Sequence, residues 1–179
     1  MNRIIIITGD LASGKSTLAD SLSIYLKVPA FKKDIIKEQY CDMYGFTTRE
    51  ENRNLSVMAV DFMINAFISF ASQQQNIILE ANFRENELRQ LQQLAMTFNY
   101  EVVLIVLRGD IEVLYTRFMD RLPNRHKAHT SLNLNESLEK FKDYIEMLRK
   151  QDLVFLPHII DTTNKSEEEV LECAIKLLG

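Results

Sequence analysis

Cysteine is nearly missing from this chain. Only Cys41 and Cys173 occur among 179 residues, and they show no ligand spacing. Neither a disulfide framework nor a cysteine zinc site is expected, and a reducing cytosol fits. Proline and glycine are also scarce, at three and five residues. No Pro/Gly/Ser-rich linker divides the chain and no internal repeat is evident, so a single domain over residues 1–179 is expected. Excess positive charge is lacking as well. The formal net charge is −4, which leaves no basic footprint for nucleic acid. The apolar run Ile4 to Ile7 is far too short for a signal sequence or a membrane span. A cytoplasmic protein without membrane contact is therefore expected. What remains is 46% hydrophobic and 26% charged, enough for an ordinary core.

Apolar runs of strand length recur between helical patterns. Arg3 to Thr8, Ile77 to Ala81 and Val102 to Leu107 are rich in Ile, Val and Leu without polar alternation, as strands covered on both faces should be. Val28 to Phe31 and His158 to Asp161 are weaker candidates. Thr48 with Glu51 forms a capping box ahead of a run to about Ser72. Asn82 with Glu85 resembles the same device, Asp110 can cap the next helix, Asn135 begins another, and Ser166 with Glu169 caps the last. Strands alternating with helices predict an α/β domain with a mostly parallel sheet.

The segment "IIIITGDLASGKSTLAD" contains Gly9-Asp10-Leu11-Ala12-Ser13-Gly14-Lys15-Ser16, which fits G-x-x-x-x-G-K-[ST]. Gly9 and Gly14 let the backbone turn tightly. Successive amides then point inward as an anion nest, at the positive end of the following helix. Lys15 should reach the β- and γ-phosphates and Ser16 should ligate Mg²⁺. Thr17 either helps at the α-phosphate or sits in the first helical turn. The implied ligand is a nucleoside triphosphate with magnesium.

Phosphoryl transfer also needs carboxylates beyond the strand ends. Asp34 follows the strand ending near Phe31. It could take a proton from an acceptor hydroxyl, hold a water on Mg²⁺, or cap the helix of Ile35 and Ile36. Glu80 ends Ile77-Ile78-Leu79, where a metal-associated acid belongs. Asn82 is read foremost as a cap. Lys32 and Lys33 are either anion contacts or a solvated pair. Tyr40, Tyr44 and Phe46 line an acceptor pocket or belong to the core.

"RFMDRLPNRHKAH" places Arg117 and Arg121 one helical turn apart, with Arg125 in a loop after Pro123 and Asn124. Three arginines near a hinge suit a lid over phosphates, assigned to about 117–135. His126 and His129 lack a third ligand for zinc and are read as lid or acceptor hydrogen-bonding groups.

Taken together, "ITGDLASGKSTLA", "FKKDIIKEQY", "IILEANFRE", "VLRGDIEVLYTRFMDR" and "NRHKAHTS" resemble the AAA_33-type P-loop kinase-like proteins. That group is related to zeta toxins, chloramphenicol phosphotransferase, the polynucleotide kinase domain and gluconate kinase. The resemblance implies a three-layer α/β/α P-loop NTPase fold, with five parallel strands, helices on both faces and a helical lid. It implies ATP as donor and a small hydroxyl-bearing acceptor. It maps the acceptor-orienting residue to Asp34 and the lid arginines to Arg117, Arg121 and Arg125, and it sets the backbone of Asp161 to Thr163 beside the adenine. The chain departs from the group at Glu80, where many relatives have Asp. It departs again at Asp10 and Ser13, often Gly and Pro in relatives, and at "RHKAH" in place of an "RHPGH"-like pattern.

The expected activity is transfer of a γ-phosphate from ATP to a small-molecule hydroxyl. A nucleotide-gated switch and a zeta-toxin-like kinase acting on a nucleotide sugar are the competing readings. No guanine-reading Asn-Lys-x-Asp motif is present.

Overall fold

The four isoleucines form the centre of strand β1 (Arg3–Gly9) in the protein's structure, a computed structural model that describes residues 2–129 and 133–179. Side chains alternate across a strand, so Ile4 and Ile6 enter one core and Ile5 and Ile7 another. All four are buried. Each contributes roughly 1.5–3 kcal/mol of burial, which is why this run shows no polar alternation.

The chain continues through α1 (Lys15–Leu26), β2 (Ala30–Lys32), α2 (Lys33–Tyr44), α3 (Arg49–Ser72), β3 (Ile77–Glu80) and α4 (Glu85–Phe98). It then forms β4 (Glu101–Arg108), α5 (Ile111–Arg121), two short 3-10 turns (Leu122–Asn124 and Lys127–His129), α6 (Leu138–Arg149), β5 (Pro157–Asp161) and α7 (Glu167–Leu178). The strands pair in the order β2-β3-β1-β4-β5, all parallel. Ile4 lies between Ile77 and Val102 in register.

Helices α3 and α4 cover one face of the sheet around Met63, Phe67, Leu88 and Leu91. Helices α1 and α7 cover the other around Leu18, Leu22, Val170 and Ala174. A third cluster, of Leu114, Phe118, Phe141 and Ile145, joins α5 to α6 and takes Leu11 and Ala12 of the glycine loop against it. The architecture is the three-layer α/β/α P-loop fold with five parallel strands.

Several helix starts follow their sequence signals. Thr48 and Glu51 form a full capping box, as do Ser166 and Glu169, and the Asp110 carboxylate accepts from the amides of Glu112 and Val113. Two starts differ. Helix α4 is capped at Arg84, whose amide donates to Glu87 Oε2 at 2.7 Å, and not at Asn82. Phe83 is buried and Arg84 is still extended, so the first turn begins only at Glu85. Helix α6 starts after Ser137, whose hydroxyl accepts from the Lys140 amide, while Asn135 lies in the preceding turn. Part of the expected lid, residues 130–132, lies outside the described residues.

Among the described residues, α3 alone is long and apolar enough to cross a membrane by length and composition. Here it packs on the sheet through Ala59, Met63, Phe67 and Ala71. Tyr40 and Phe46 pack against a small cluster of Cys41, Leu55 and Ala128, the core alternative for these aromatics. Tyr44 is exposed.

Candidate active site

The turn after β1 is fixed by sterics. Gly9 has φ +129°, and a Cβ there would lie 2.0 Å from the Leu107 carbonyl oxygen. Gly14 has φ +89° and Ala12 φ +59°. This run of positive φ values turns the segment back tightly on itself between β1 and α1. The Ser13 hydroxyl donates to the Asp10 carbonyl at 2.8 Å, and Lys15 Nζ donates to the carbonyls of Asp10 (2.6 Å) and Gly9 (3.2 Å).

At the mouth of the loop the Ser16 hydroxyl donates to Glu80 Oε2 at 3.0 Å. The two residues expected to serve magnesium thus meet, although 64 positions separate them. Glu80 is only 4% exposed. Burial pushes its carboxyl above the ordinary range, Lys15 opposes that shift, and Asp34 adds to it. Burial likewise pushes the Lys15 amine down, with Glu80, Asp34 and Asp10 pulling it back and Arg121 pushing it further down. Each charge is thus disfavoured by burial and favoured by the other. The donor set, a hydroxyl and a hard carboxylate, suits magnesium.

A cavity of about 1300 Å³ opens from the loop. Leu11 to Ser16 and Glu80 line one end. Asp34, Lys33, Arg121, Arg125 and His129 line the rest. The volume exceeds what a single drug-sized ligand occupies. Asp34 sits in the first turn of α2, after an extended Lys32 that provides no side-chain cap. Its carboxylate is exposed and lies 4.0 Å from His129 Nδ1. The cap alternative for Asp34 is therefore excluded. Lys32 turns away to Asp20, 2.7 Å distant, and leaves Lys33 as the cavity's lysine of that pair.

Asp10 and the three arginines do not all share this cavity. The Asp10 side chain is 2% exposed. It accepts from Arg149 Nη2 (2.5 Å) and Nε (3.1 Å) and from the Gly109 amide (3.2 Å). Its side chain is thus bonded to the end of α6, and its amide donates to the Leu107 carbonyl at 2.9 Å, so Asp10 offers no free donor to an anion and serves to brace the loop. Arg117 donates to the carbonyls of Thr162 (3.0 Å) and Thr163 (3.1 Å). It borders a separate cavity of about 210 Å³ with Thr17, Arg121 and Lys165. That space adjoins the segment expected beside the adenine. Arg121 reaches both cavities. Arg125 stacks 4.9 Å above the Phe118 ring, and burial pushes its guanidinium down while Asp34 pulls it up.

Residues 126–129 dock on α2. His126 Nε2 donates to Asp42 Oδ1 (3.1 Å) while its Nδ1 accepts from the Ala128 amide (3.1 Å). His129 Nε2 donates to Glu38 Oε1 (2.9 Å), and Lys37 Nζ donates to the Ala128 carbonyl (2.7 Å). Ligand atoms of Cys41, Asp42 and His126 lie within 4.8 Å of one another. They make a poor metal centre, because the Ala128 amide occupies Nδ1 and leaves the proton on Nε2. The histidines act as hydrogen-bonding groups of the docked segment.

The sequence reading missed Arg149, Lys37, Asn52, Arg53 and Arg84, and it set Asn82 aside as a cap. Asn52, Asn82, Arg53 and Arg84 all line the large cavity. The available signal was a polar stripe at the start of the otherwise apolar α3.

Solved structures of other proteins share this fold over nearly the whole chain. A protein described as a candidate kinase from Chloroflexus aurantiacus J-10-fl is 24% identical, with 99% of each chain covered and a TM-score of 0.80. A gluconokinase from Sinorhizobium meliloti 1021 is 13% identical over 99% of this chain and 91% of its own, with a TM-score of 0.64. A shikimate kinase from Aquifex aeolicus VF5 is 16% identical over 98% and 95%, with a TM-score of 0.58. No curated protein matches the chain in sequence. The profile of the AAA domain family AAA_18 spans residues 5–152, from the first isoleucines of β1 to just past α6, and with its P-loop kinase-like fold the chain belongs to that family.

Proposed function

We propose that the protein is an ATP- and magnesium-dependent phosphotransferase that moves the γ-phosphate to a hydroxyl of a small molecule. The observation that carries this reading is the Ser16–Glu80 contact beside Lys15, in a cavity that Asp34 also lines.

In this reading the loop amides and Lys15 hold the polyphosphate. Ser16 and Glu80 would hold magnesium, which when bound supplies charge neutralisation at the phosphates. Asp34 accepts the acceptor's hydroxyl proton as the new O–P bond forms and the bond from the γ-phosphorus to the bridging oxygen breaks. ADP leaves with that oxygen. Arg121 and Arg125 face the same space and offset the negative charge of the transferring group. Arg117 and Thr17 serve the nucleotide's other end. Most of the rate comes from positioning and electrostatics. A nucleotide-gated switch would have no use for so large a chamber past the phosphates. A small-molecule acceptor and a cytoplasmic setting belong to the same reading.

ADP release over a panel of hydroxyl acceptors, with product detected by phosphorus NMR, tests it. Lys15→Ala should lower turnover by about 10²–10³-fold. Asp34→Asn should bind nucleotide normally and lose about 10²–10⁴ in transfer. Undiminished turnover in Lys15→Ala refutes the assignment of the loop. Retained transfer with collapsed nucleotide affinity in Asp34→Asn refutes the role of Asp34.

A further inference from the structure

We propose that His129 is a positioning residue for the candidate base: Glu38 holds its ring through Nε2, and its open Nδ1 receives from Asp34 the proton that the acceptor hydroxyl gives up. The proposal rests on the phosphotransferase reading and extends its proton path.

The spacing along α2 sets up the arrangement. Asp34 and Glu38 stand at i and i+4, one turn apart on one helical face, and both line the large cavity. Two acids so placed repel each other unless a group that can carry protons lies between them. His129 occupies that place. Its Nε2 lies 2.9 Å from Glu38 Oε1 and its Nδ1 lies 4.0 Å from Asp34 Oδ1.

Neighbouring contacts fix the ring. Ala128 is fully buried and packs with Cys41 and Leu55. Its carbonyl accepts from Lys37 Nζ at 2.7 Å, and His126 ties the same short segment to Asp42. The His129 side chain is itself only 11% exposed. Anchoring the preceding residue in this way holds the imidazole in place before any ligand arrives.

The partner at Nε2 decides the tautomer. An ionised carboxylate accepts and never donates. Nε2 therefore bears the hydrogen, and neutral His129 keeps its lone pair on Nδ1, the nitrogen nearer Asp34. Burial holds the imidazole below its ordinary value of 6.5, while Asp34 and Glu38 pull it up and Lys37 pushes it down. The ring is thus neutral near pH 7 and free to take a proton. These three charged groups all belong to α2. His126 faces the ring from its own segment, with centroids 6.3 Å apart, and Arg49, Glu50 and Arg53 of α3 and Arg125 line the same cavity.

In the step, the acceptor O–H bond breaks as its oxygen bonds the γ-phosphorus, and Asp34 takes the hydrogen. Protonated Asp34 then donates to Nδ1, once the gap of 4.0 Å closes by about 1 Å to hydrogen-bond length, and passes the proton on. Imidazolium results, with its Nε2–H still on Glu38, whose charge favours it. Asp34 returns to carboxylate, and the ring loses its proton to water as the products leave. Asp34 is exposed in the empty chamber. When nucleotide and acceptor fill that chamber, His129 is the base left beside it.

Imidazole nitrogen NMR of the intact protein tests the geometry, and the pH dependence of transfer tests its use. Neutral His129 should show the Nε2–H form. Asp34→Asn should move its titration to lower pH, because a carboxylate that pulls it up is gone. With whichever acceptor of the hydroxyl panel gives product, kcat should fall on the acid side as His129 takes a proton beforehand. Glu38→Gln still accepts from Nε2–H and should carry that acid limb to lower pH. His129→Gln should remove the limb and lower kcat about tenfold, less than the roughly 10²–10⁴ that a general base supplies. A merely structural histidine would alter the melting temperature and leave the limb in place. Three results overturn the proposal: an Nδ1–H ring in the neutral protein, a His129 titration unmoved by Asp34→Asn, or an acid limb that stays put in both the Glu38 and the His129 variant. The NMR readings require no turnover, so a failure there is distinct from a failure of the phosphotransferase reading, which the Lys15 and Asp34 variants test.

Discussion

Arg149→Met isolates the contact that ties the glycine loop to α6. In the intact protein the Asp10 carboxylate accepts two bonds from Arg149 and one from the Gly109 amide, while Arg149 also donates to the Gly109 carbonyl at 2.6 Å. Methionine fills much of the arginine's volume but donates nothing. It leaves a carboxylate that is 2% exposed with a single backbone donor. Stranding one member of a buried pair costs about 3–5 kcal/mol. For a domain of this size 1 kcal/mol shifts the melting temperature by roughly 2–4 °C, so a fall of roughly 6–20 °C is expected. Asp10→Asn alone should also destabilise, because its amide then faces the guanidinium. Asp10→Asn with Arg149→Met should lose less than the sum of the two, with a coupling of about 0.5–3 kcal/mol. Scanning calorimetry and urea unfolding of all four proteins measure the cycle. An Arg149→Met protein that melts within a degree of the parent, or a double variant that is strictly additive, would refute this account of the contact.

Glu80→Gln keeps the shape of the buried side chain and removes its charge. The magnesium concentration for half-maximal ADP release should rise about tenfold or more, and an unmoved magnesium titration would take Glu80 away from the metal. Burial holds the His129 imidazole below its ordinary value of 6.5, against the pull of Asp34 and Glu38 and with Lys37 adding to the depression. The folded state therefore favours neutral His129, and the unfolded chain takes the proton first. Stability from this source is complete above about pH 6.5 and declines as pH falls, levelling off below the folded value, by about 1.4 kcal/mol per unit of displacement. His129→Gln should remove that part of the decline as pH falls below about 6.5, and an identical slope of melting temperature against pH in the variant would show that His129 does not contribute.

Much of the architecture was legible because it rests on local signals. Ile4 to Ile7 and Val102 to Leu107 read as strands covered on both faces since no polar residue interrupts them, and the Thr48 and Ser166 boxes mark helix starts within four residues of chain. The glycine loop was equally local. The cap at Asn82 failed because the choice between Glu85 and Glu87 as the returning carboxylate depends on burying Phe83, a tertiary event. Asp10 was read as part of an anion nest because its partner lies 139 residues away. Arg117 and Arg121 share a helix flank in sequence, yet the β5–α7 loop captures one and leaves the other to both cavities. Arg53 and Arg84 went unseen because neither belongs to a motif, and only the fold brings both to the lining of one cavity.

Helix α3 divides its labour along its length. The distal turns, carrying Met63, Phe67 and Ala71, brace the sheet, while the leading turns present Arg49, Asn52 and Arg53 to the chamber. Selection could rewrite the front of this rod without loosening its rear. Substitutions in the leading turns would reshape the chamber wall while the residues that pack on the sheet stay as they are.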